Sequence, residues 1–193
     1  KKHTLSKDAE QVLSNLSSLP SFYQLYEVTK HEDMQFESFE ANGKTLENSF
    51  VLYENLHEMD ADKEVRRAAA KSFYKTLNAY KNTVANEYIS QLKKEKMMAT
   101  MRGYDSVIDY LLDEQDGDRE LYDRQIRMLM TDLAPHMQRY IKLLAKEHDI
   151  SDMQFMDAKI NLDPEFEVDM TIEESREYLK KALGILGEDY KAM

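Results

Sequence analysis

Two histidine–glutamate pairs are the closest that this sequence comes to a hydrolytic centre. A zinc peptidase site on a helix needs the pattern His-Glu-x-x-His, because two imidazoles one turn apart bind one metal ion while the glutamate activates a water molecule. His31-Glu32 and His57-Glu58 each begin this pattern, but Gln35 and Ala61 stand where the second histidine is required. We interpret both pairs as surface dipeptides and assign no catalytic, cofactor-binding or metal-binding residue to this chain.

A carboxylate-bridged di-iron site is a second chemistry that the spacing could serve. It needs two Glu-x-x-His pairs on separate helices, with further glutamates projecting inward. Glu54 and His57 form the single such pair, because apolar residues precede His136 and His148 at that offset. A helical bundle that binds metal through carboxylates is therefore kept only as the third of three functional hypotheses.

Residues for nucleophilic or phosphate chemistry are missing from the sequence. It has no Gly-x-Ser-x-Gly motif, no glycine-rich phosphate loop and no Cys. Acidic pairs such as Asp113-Glu114 and Glu173-Glu174 could do acid–base work, but in a chain with 37 acidic residues most such pairs are solvated. The 12 Met residues, including Met97-Met98 and Met128-Met130, could form an adaptable binding surface, but we expect them to fill the core.

The charge balance argues against nucleic acid and membranes as partners. The chain has 26 basic and 37 acidic residues, a formal net charge of −11, and no cluster of Lys and Arg that would overrule this balance locally. No apolar run approaches the roughly 18 residues that a membrane span needs. The absence of Cys is compatible with the cytoplasmic location that we expect.

The elements that would position any site are predicted to be mostly α-helical, as a multi-helix array with two long helices. Residues 62–101 contain neither Gly nor Pro and repeat apolar residues every three or four positions, which predicts one long helix that Gly103 ends. A second long pattern, from Tyr122 to Leu144, contains Pro135, which should kink or split it. We expect residues 1–193 to form a single helical unit, with short helices and a hairpin over 1–60 and the long helices over 61–193.

One small β-hairpin is predicted near residues 34–46, because Asn42-Gly43 is the strongest short hairpin signal in the chain. Thr45 and Asp105 are predicted to cap the helices that follow them. Thr171 with Glu174 has the spacing of a capping box at the start of the last helix. Residues 153–169 are predicted to be an extended connection with one short strand.

The junction Arg102-Gly103-Tyr104 leaves two readings open, because a long helix, a glycine turn and a capped helix meet there. Arg102 and Tyr104 could contact a ligand. Alternatively, Gly103 supplies the positive φ of a helix end while Tyr104 packs back on the preceding turn. The second reading is favoured, because no other convergent groups are visible beside this junction.

The order of these segments resembles the N-terminal and middle part of oligoendopeptidase F, a helical zinc metallopeptidase of the thimet oligopeptidase superfamily. The matching segments are His3-Thr4-Leu5-Ser6 with Glu10, the hairpin 36–44, Asp62-Lys63-Glu64-Val65-Arg66-Arg67, Arg102-Gly103-Tyr104-Asp105-Ser106, Tyr140-Ile141-Lys142, Met156-Asp157, and Thr171-Ile172-Glu173-Glu174 leading to Leu186-Gly187 and Tyr190. None of them is a catalytic signature.

The resemblance implies a hydrolase that cleaves short peptides in an internal channel, with zinc held by His-Glu-x-x-His and a later glutamate. We expect those residues to lie beyond Met193, so that this chain is an inactive scaffold or channel-wall fragment and zinc belongs to the intact enzyme. Helix faces that pack on the missing part would be exposed and would favour self-association. The alternative hypothesis is a stand-alone helical module that docks partner helices along an apolar groove.

Overall fold

A computed structural model of the chain describes residues 3–17, 21–164, 166, 169–188 and 190. The eight α-helices found among these residues are α1 Lys7–Ser17, α2 Phe22–Val28, α3 Phe50–Asn55, α4 Lys63–Met101, α5 Val107–Glu114, α6 Arg119–Met128, α7 Ala134–Glu147 and α8 Ile172–Leu183. The strands β1 Phe39–Ala41 and β2 Lys44–Leu46 form a two-stranded antiparallel sheet. The mostly α-helical fold with one small hairpin is confirmed.

Helix α4 is the longest element, with 39 residues and a length of about 60 Å at 1.5 Å per residue. It begins where the Asp62 carboxylate accepts hydrogen bonds from the backbone N–H groups of Glu64 and Val65, at 2.7 and 3.4 Å. It ends before Gly103, whose φ of 72° is a conformation that costs glycine little. The predicted long helix and its glycine end are both confirmed.

The N-terminal half of α4 carries an aromatic core that is built around Phe73. The ring of Phe73 stacks on Tyr53 with centroids 4.1 Å apart, and it also contacts Phe36 and Phe50 at 5.3 and 4.9 Å. Ala69 and Ala70 are fully buried on the same helix. Because a methyl side chain lets neighbouring backbones approach closely, the hairpin and α3 can lie directly on this part of α4.

The hairpin turn confirms the Asn42-Gly43 signal, since both residues have positive φ values, 51° and 71°. The predicted cap at Thr45 is wrong. Thr45 lies in β2 opposite Glu40, so its backbone belongs to the strand pair, and the cap of α3 is Ser49, whose Oγ accepts from Leu52 N at 3.0 Å.

A similar correction of one residue applies before α5, which is capped by Ser106 rather than Asp105. The Ser106 Oγ accepts from the backbone N–H of Asp109 at 3.1 Å, and Ser106 has the extended backbone that a cap requires. Asp105 and Ser106 are both of a type that caps helices. Because α5 begins at Val107, Ser106 occupies the capping position.

The C-terminal half of α4 has its own small core, formed with α1 and α5 by Leu13, Met98, Ala99 and Tyr110. Met98 is therefore core, as expected for the methionines. Met97, Met128 and Met130 are instead exposed, so the expectation that these methionines fill the core is wrong.

The second long pattern is split, as Pro135 predicted. A π-helical turn, Leu129–Leu133, joins α6 to α7, and Pro135 lies in the first turn of α7. Proline has no N–H to donate to the preceding turn, so the hydrogen-bond ladder changes its spacing at this point.

Contacts divide the chain into two units, Lys1–Leu162 and Asp163–Met193. The second unit contains α8, whose capping box between Thr171 and Glu174 is confirmed, and Gly187, whose φ of 110° follows the last turn. The short strand expected within 153–169, around Phe166-Glu167-Val168, would include residues 167 and 168, which lie outside the described residues. A division by contacts does not test whether 1–193 folds cooperatively, so the single helical unit stays a prediction.

Among the residues that the structure describes, no helix is both long enough and apolar enough to cross a membrane. The longest, α4, carries charged residues along its whole length.

Replacing Ser49 with Ala should lower the free energy of unfolding by about 1 kcal/mol, because the first turn of α3 loses its side-chain acceptor. Urea denaturation followed by circular dichroism measures the change. Thr45→Ala is the control: it removes an exposed hydrogen bond to Glu40 and no helix cap, so it should have the smaller effect. A larger loss from Thr45→Ala would contradict this assignment.

Candidate functional site

The most deeply buried polar contact joins the first turns of α4 to a short 3₁₀ turn, Phe155–Asp157. The side chains of Arg66 and Asp157 are both fully buried, and Arg66 Nη2 lies 3.1 Å from Asp157 Oδ1. Arg66 Nη1 also donates to the carbonyl oxygens of Asp60 and Ala61, at 2.6 and 2.8 Å. The guanidinium thus ties three backbone segments together.

Arg67 completes this ionic network from the next position of α4. Its Nη2 donates to Asp157 Oδ2 at 2.7 Å, and its Nη1 donates to Asp152 Oδ2 at 2.6 Å. Burial alone would raise the pKa of Asp157, but the bonds from Arg67, the Gln154 backbone and Arg66 together hold that pKa below its usual value. The hydrogen bond from Arg67 lowers the pKa of Asp152 to about 2.

We interpret this network as structural rather than catalytic, because hydrogen-bond donors occupy both oxygens of its buried carboxylate. Asp157 Oδ1 accepts from Arg66, and Oδ2 accepts from Arg67 and from the backbone of Gln154 at 3.1 Å. Arg66, Arg67 and Asp157 belong to segments that resemble oligoendopeptidase F, but their spacing in the sequence does not indicate that they are in contact. Adjacent arginines in the first turns of an otherwise amphipathic helix were the available signal, but they did not identify the partner.

The two histidine–glutamate pairs lie in different environments. His31 is exposed and lies 3.4 Å from the Glu27 carboxylate, which agrees with a surface dipeptide. His57 is only 5% exposed, so its assignment to the surface is wrong. Its Nε2 hydrogen-bonds with the carbonyl oxygen of Glu47 at 2.9 Å, and its ring packs edge-on against Phe39. These contacts make His57 a core residue that fixes the end of the hairpin.

The other histidines are held separately. His136 pairs with Arg139 at 2.8 Å, and His148 hydrogen-bonds with the carbonyl oxygen of Asn161 at 2.9 Å. In the part of the chain that is described, no three His, Asp or Glu side chains are grouped as a metal site would require. These described residues therefore do not fit the zinc ion that the family resemblance implies for the intact enzyme.

The junction after α4 is held by contacts within the chain. Arg102 makes a two-pronged ion pair with Glu10, with Nη1 and Nη2 at 2.9 and 3.0 Å from the two carboxylate oxygens, and its hydrogen bonds lower the Glu10 pKa. Tyr104 stacks on His3 with ring centroids 3.8 Å apart and donates to Asp113. Tyr104 also packs against the cluster that contains Met98 and Ala99 near the end of α4, as the second reading expects. Both side chains that could have contacted a ligand are therefore engaged within the chain.

A partly open cavity of about 330 Å³ lies between α2 and the middle of α4. Its walls are mainly aromatic, and two polar residues of α4, Glu87 and Gln91, complete them. The Glu87 Oε1 atom accepts from Thr29 Oγ1 at 2.7 Å. Glu87 and Gln91 belong to no sequence motif, so residue types and spacing do not predict this cavity. We take the cavity as the candidate functional site. Seven residues line it: Phe22, Tyr23, Tyr26, Val84, Glu87, Tyr88 and Gln91.

Comparisons with known proteins agree with the family resemblance. The chain is 28% identical over 193 residues to oligopeptidase PepF of Bacillus subtilis, and 27% identical over 191 residues to an oligoendopeptidase F homolog of Borreliella burgdorferi. These matches cover 99% and 98% of this chain. The crystal structure of oligoendopeptidase-F from Enterococcus faecium has the same fold over 98% of the chain, with a TM-score of 0.76 and 21% identity. No protein-family model matches the chain.

The matches cover nearly all of this chain but only about a third of each relative. The chain spans 28% and 31% of the two curated relatives and 38% of the Enterococcus chain. The resemblance to oligoendopeptidase F is thus confirmed over nearly the whole of this chain, which matches only part of the length of these relatives.

Replacing Asp157 with Asn should lower the free energy of unfolding by about 3–5 kcal/mol, because the fully buried Arg66 charge would lose its carboxylate. Chemical denaturation at neutral pH measures the loss. Asp152→Asn is the matched control: it removes an exposed carboxylate from the same network and should cost much less.

The pH dependence of the same measurement follows from the depressed pKa values of the two aspartates. The contribution of each aspartate to stability is complete above the ordinary aspartate pKa of 3.8 and is lost as the pH falls through its lowered pKa in the folded chain, which for Asp152 is about 2. The difference in the free energy of unfolding between the parent chain and Asp157→Asn should therefore become smaller as the pH falls below 3.8. Equal stability of the two proteins at pH 7 would contradict a structural role for the pair.

Proposed function

We propose that this chain forms a scaffold, or channel-wall, part of an oligoendopeptidase F-like zinc metallopeptidase that hydrolyses short peptides. The observation that carries the proposal is the 28% identity that extends over 99% of the chain to oligopeptidase PepF. The residues that the structure describes include no zinc site, so zinc and the catalytic groups would belong to another part of the enzyme. The chain alone would be inactive.

The physical contribution of this part would be steric selection. Helix α4 is about 60 Å long and is fixed near its start by the Arg66–Asp157 pair and near its end by the Arg102–Glu10 pair. A long helix held near both ends resists bending, so it can form one wall of a narrow channel. Such a channel admits short extended peptides and excludes folded proteins. The proposed enzyme would act in the cytoplasm.

The test compares this chain with its natural full-length parent in zinc content and in hydrolysis of short quenched fluorescent peptides. We expect zinc and cleavage in the parent and neither in the chain alone. A parent in which the glutamate of its own His-Glu-x-x-His motif is replaced by Gln should keep zinc and lose cleavage. A parent with neither zinc nor cleavage would overturn the proposal.

A stand-alone helical interaction module is the second candidate. Exposed apolar side chains of the π turn and its flanking helices favour it: Met128, Leu129, Met130, Leu133 and Met137. They form a surface of the kind that partner helices cover. The gene distinguishes the two functions, because the reading frame would end near Met193 in a stand-alone module and continue in a peptidase.

The same apolar surface leads us to predict self-association of the isolated chain. Sedimentation velocity at increasing concentration should show a dimer, and Met130→Lys should weaken it because the added charge must be desolvated in the contact. Val51→Lys, which adds a charge at an exposed position on α3, is the matched control and should leave the dimer intact. A strictly monomeric profile at high concentration would count against this surface as a contact.

A further inference from the structure

The rod formed by α6, the π turn and α7 has an apolar face that the described residues leave uncovered. Neither α6 nor the π turn contains a buried residue, and the one buried residue of α7 is Leu144, near its C-terminal end. Five exposed apolar residues nevertheless recur every three or four positions along the rod. They define what we call the α6–α7 face: Ile126, Leu129, Leu133, Met137 and Tyr140.

This face is continuous with a part of α7 that is buried. Successive residues of an α-helix are rotated by about 100°, so residues seven or eleven positions apart point within about 20° of each other. Met137 and Leu133 precede Leu144 by these distances. Leu144 is 0% exposed, whereas Met137 and Leu133 are 48% and 45% exposed. The same side of the helix is therefore covered at its end and uncovered from two turns earlier.

The length of the uncovered row distinguishes it from ordinary surface residues. Single exposed apolar side chains are common in folded proteins and need no partner. The row from Ile126 to Tyr140 runs for about 20 Å at 1.5 Å per residue. An amphipathic helix normally buries its apolar side against other protein. The α6–α7 face thus has the features of an interface that lacks its other half.

The length of the relatives indicates what covers this face. The chain spans only 28% and 31% of the two curated relatives, so about two thirds of each has no counterpart here. A segment tethered in the same polypeptide has an effective concentration of about 1 mM, far above that of a second copy in dilute solution. The tethered segment would therefore occupy the face before a second copy could.

We propose that the α6–α7 face is an internal interface of the intact protein, covered by an apolar surface from the part of the parent polypeptide outside this chain. The inference rests on the proposed function in one respect, namely that the natural protein continues beyond this chain. It also accounts for the self-association predicted for the isolated chain, because a second copy can contact the face only when its cover is missing.

The first experiment measures how fast hydrogen peroxide converts each methionine to its sulfoxide, in the parent and in the isolated chain, by mass spectrometry. We expect Met137 to react at least roughly tenfold more slowly in the parent, since a covered thioether reacts only when its cover opens. Met98 is buried in the core and should react slowly in both, which checks that the fold is intact. Equal rates for Met137 would overturn the proposal.

Dilution of both samples separates the possible occupants. Protection of Met137 in the parent that does not change with protein concentration supports cover by the same polypeptide. Protection that disappears on dilution would identify a second copy and would overturn the proposal. Protection of Met137 in the isolated chain after the same dilution would show that the chain covers its own face, and this result would overturn it too.

The second experiment compares Met137→Lys with Gln138→Lys, which adds the same charge at the next position. Gln138 is exposed and lies about 120° from the direction of Leu144 around the helix. We expect Met137→Lys to lower the midpoint of thermal unfolding of the parent by several degrees, because the ammonium group must be desolvated there. Gln138→Lys should leave the midpoint unchanged. In the dilute isolated chain neither change should matter, and an unaffected parent with Met137→Lys would contradict the proposal.

These outcomes are distinguishable from those of the peptidase assay. A parent without zinc or cleavage, but with Met137 protected at every concentration, would overturn the proposed function and support the interface. A parent that cleaves peptides while Met137 is oxidised freely would do the reverse. A reading frame that ends near Met193 would overturn both.

Discussion

The buried pair of Arg66 and Asp157 is the constraint on which the arrangement of the first unit depends. Two charges that are removed from water cost several kcal/mol each, and this cost is recovered only when the geometry and the remaining hydrogen bonds are nearly complete. Here Arg66 reaches two backbone carbonyls as well as the carboxylate, and Asp157 also accepts from Arg67. An apolar contact would tolerate sliding, whereas this one fixes the position of residues 152–157 against the start of α4.

Most of the other elements of the first unit pack along α4. The hairpin and α3 cover its first third through the ring of Phe73, and α1 and α5 cover its end through Met98 and Tyr110. Between these two cores, α2 lies across the middle of the helix. A single short helix covers this stretch less completely than the cores cover the ends, and the cavity at Glu87 lies in this stretch.

Local signals predicted the fold well, because the long helix and the hairpin depend on neighbouring residues. A stretch without Gly or Pro, and an Asn-Gly pair that tolerates positive φ, need no tertiary information. The cap at Ser49 was missed because Thr45 offered an equally good side chain, and strand pairing with Glu40 decided between them. The burial of His57 and the cavity between α2 and α4 depend on contacts between distant segments, which residue types and spacing alone do not reveal.

The π turn between α6 and α7 places one residue more in a turn than an α-helix does, as a single-residue insertion into a continuous helix would. Each residue of an α-helix is rotated by about 100° about the helix axis relative to the one before it. The extra residue therefore determines which side chains of α7 face the rest of the chain. Leu144, eleven positions later, is completely buried. An insertion or deletion within Leu129–Leu133 would therefore turn Leu144 away from its buried position. Relatives of this chain should conserve the number of residues here more strictly than their identity.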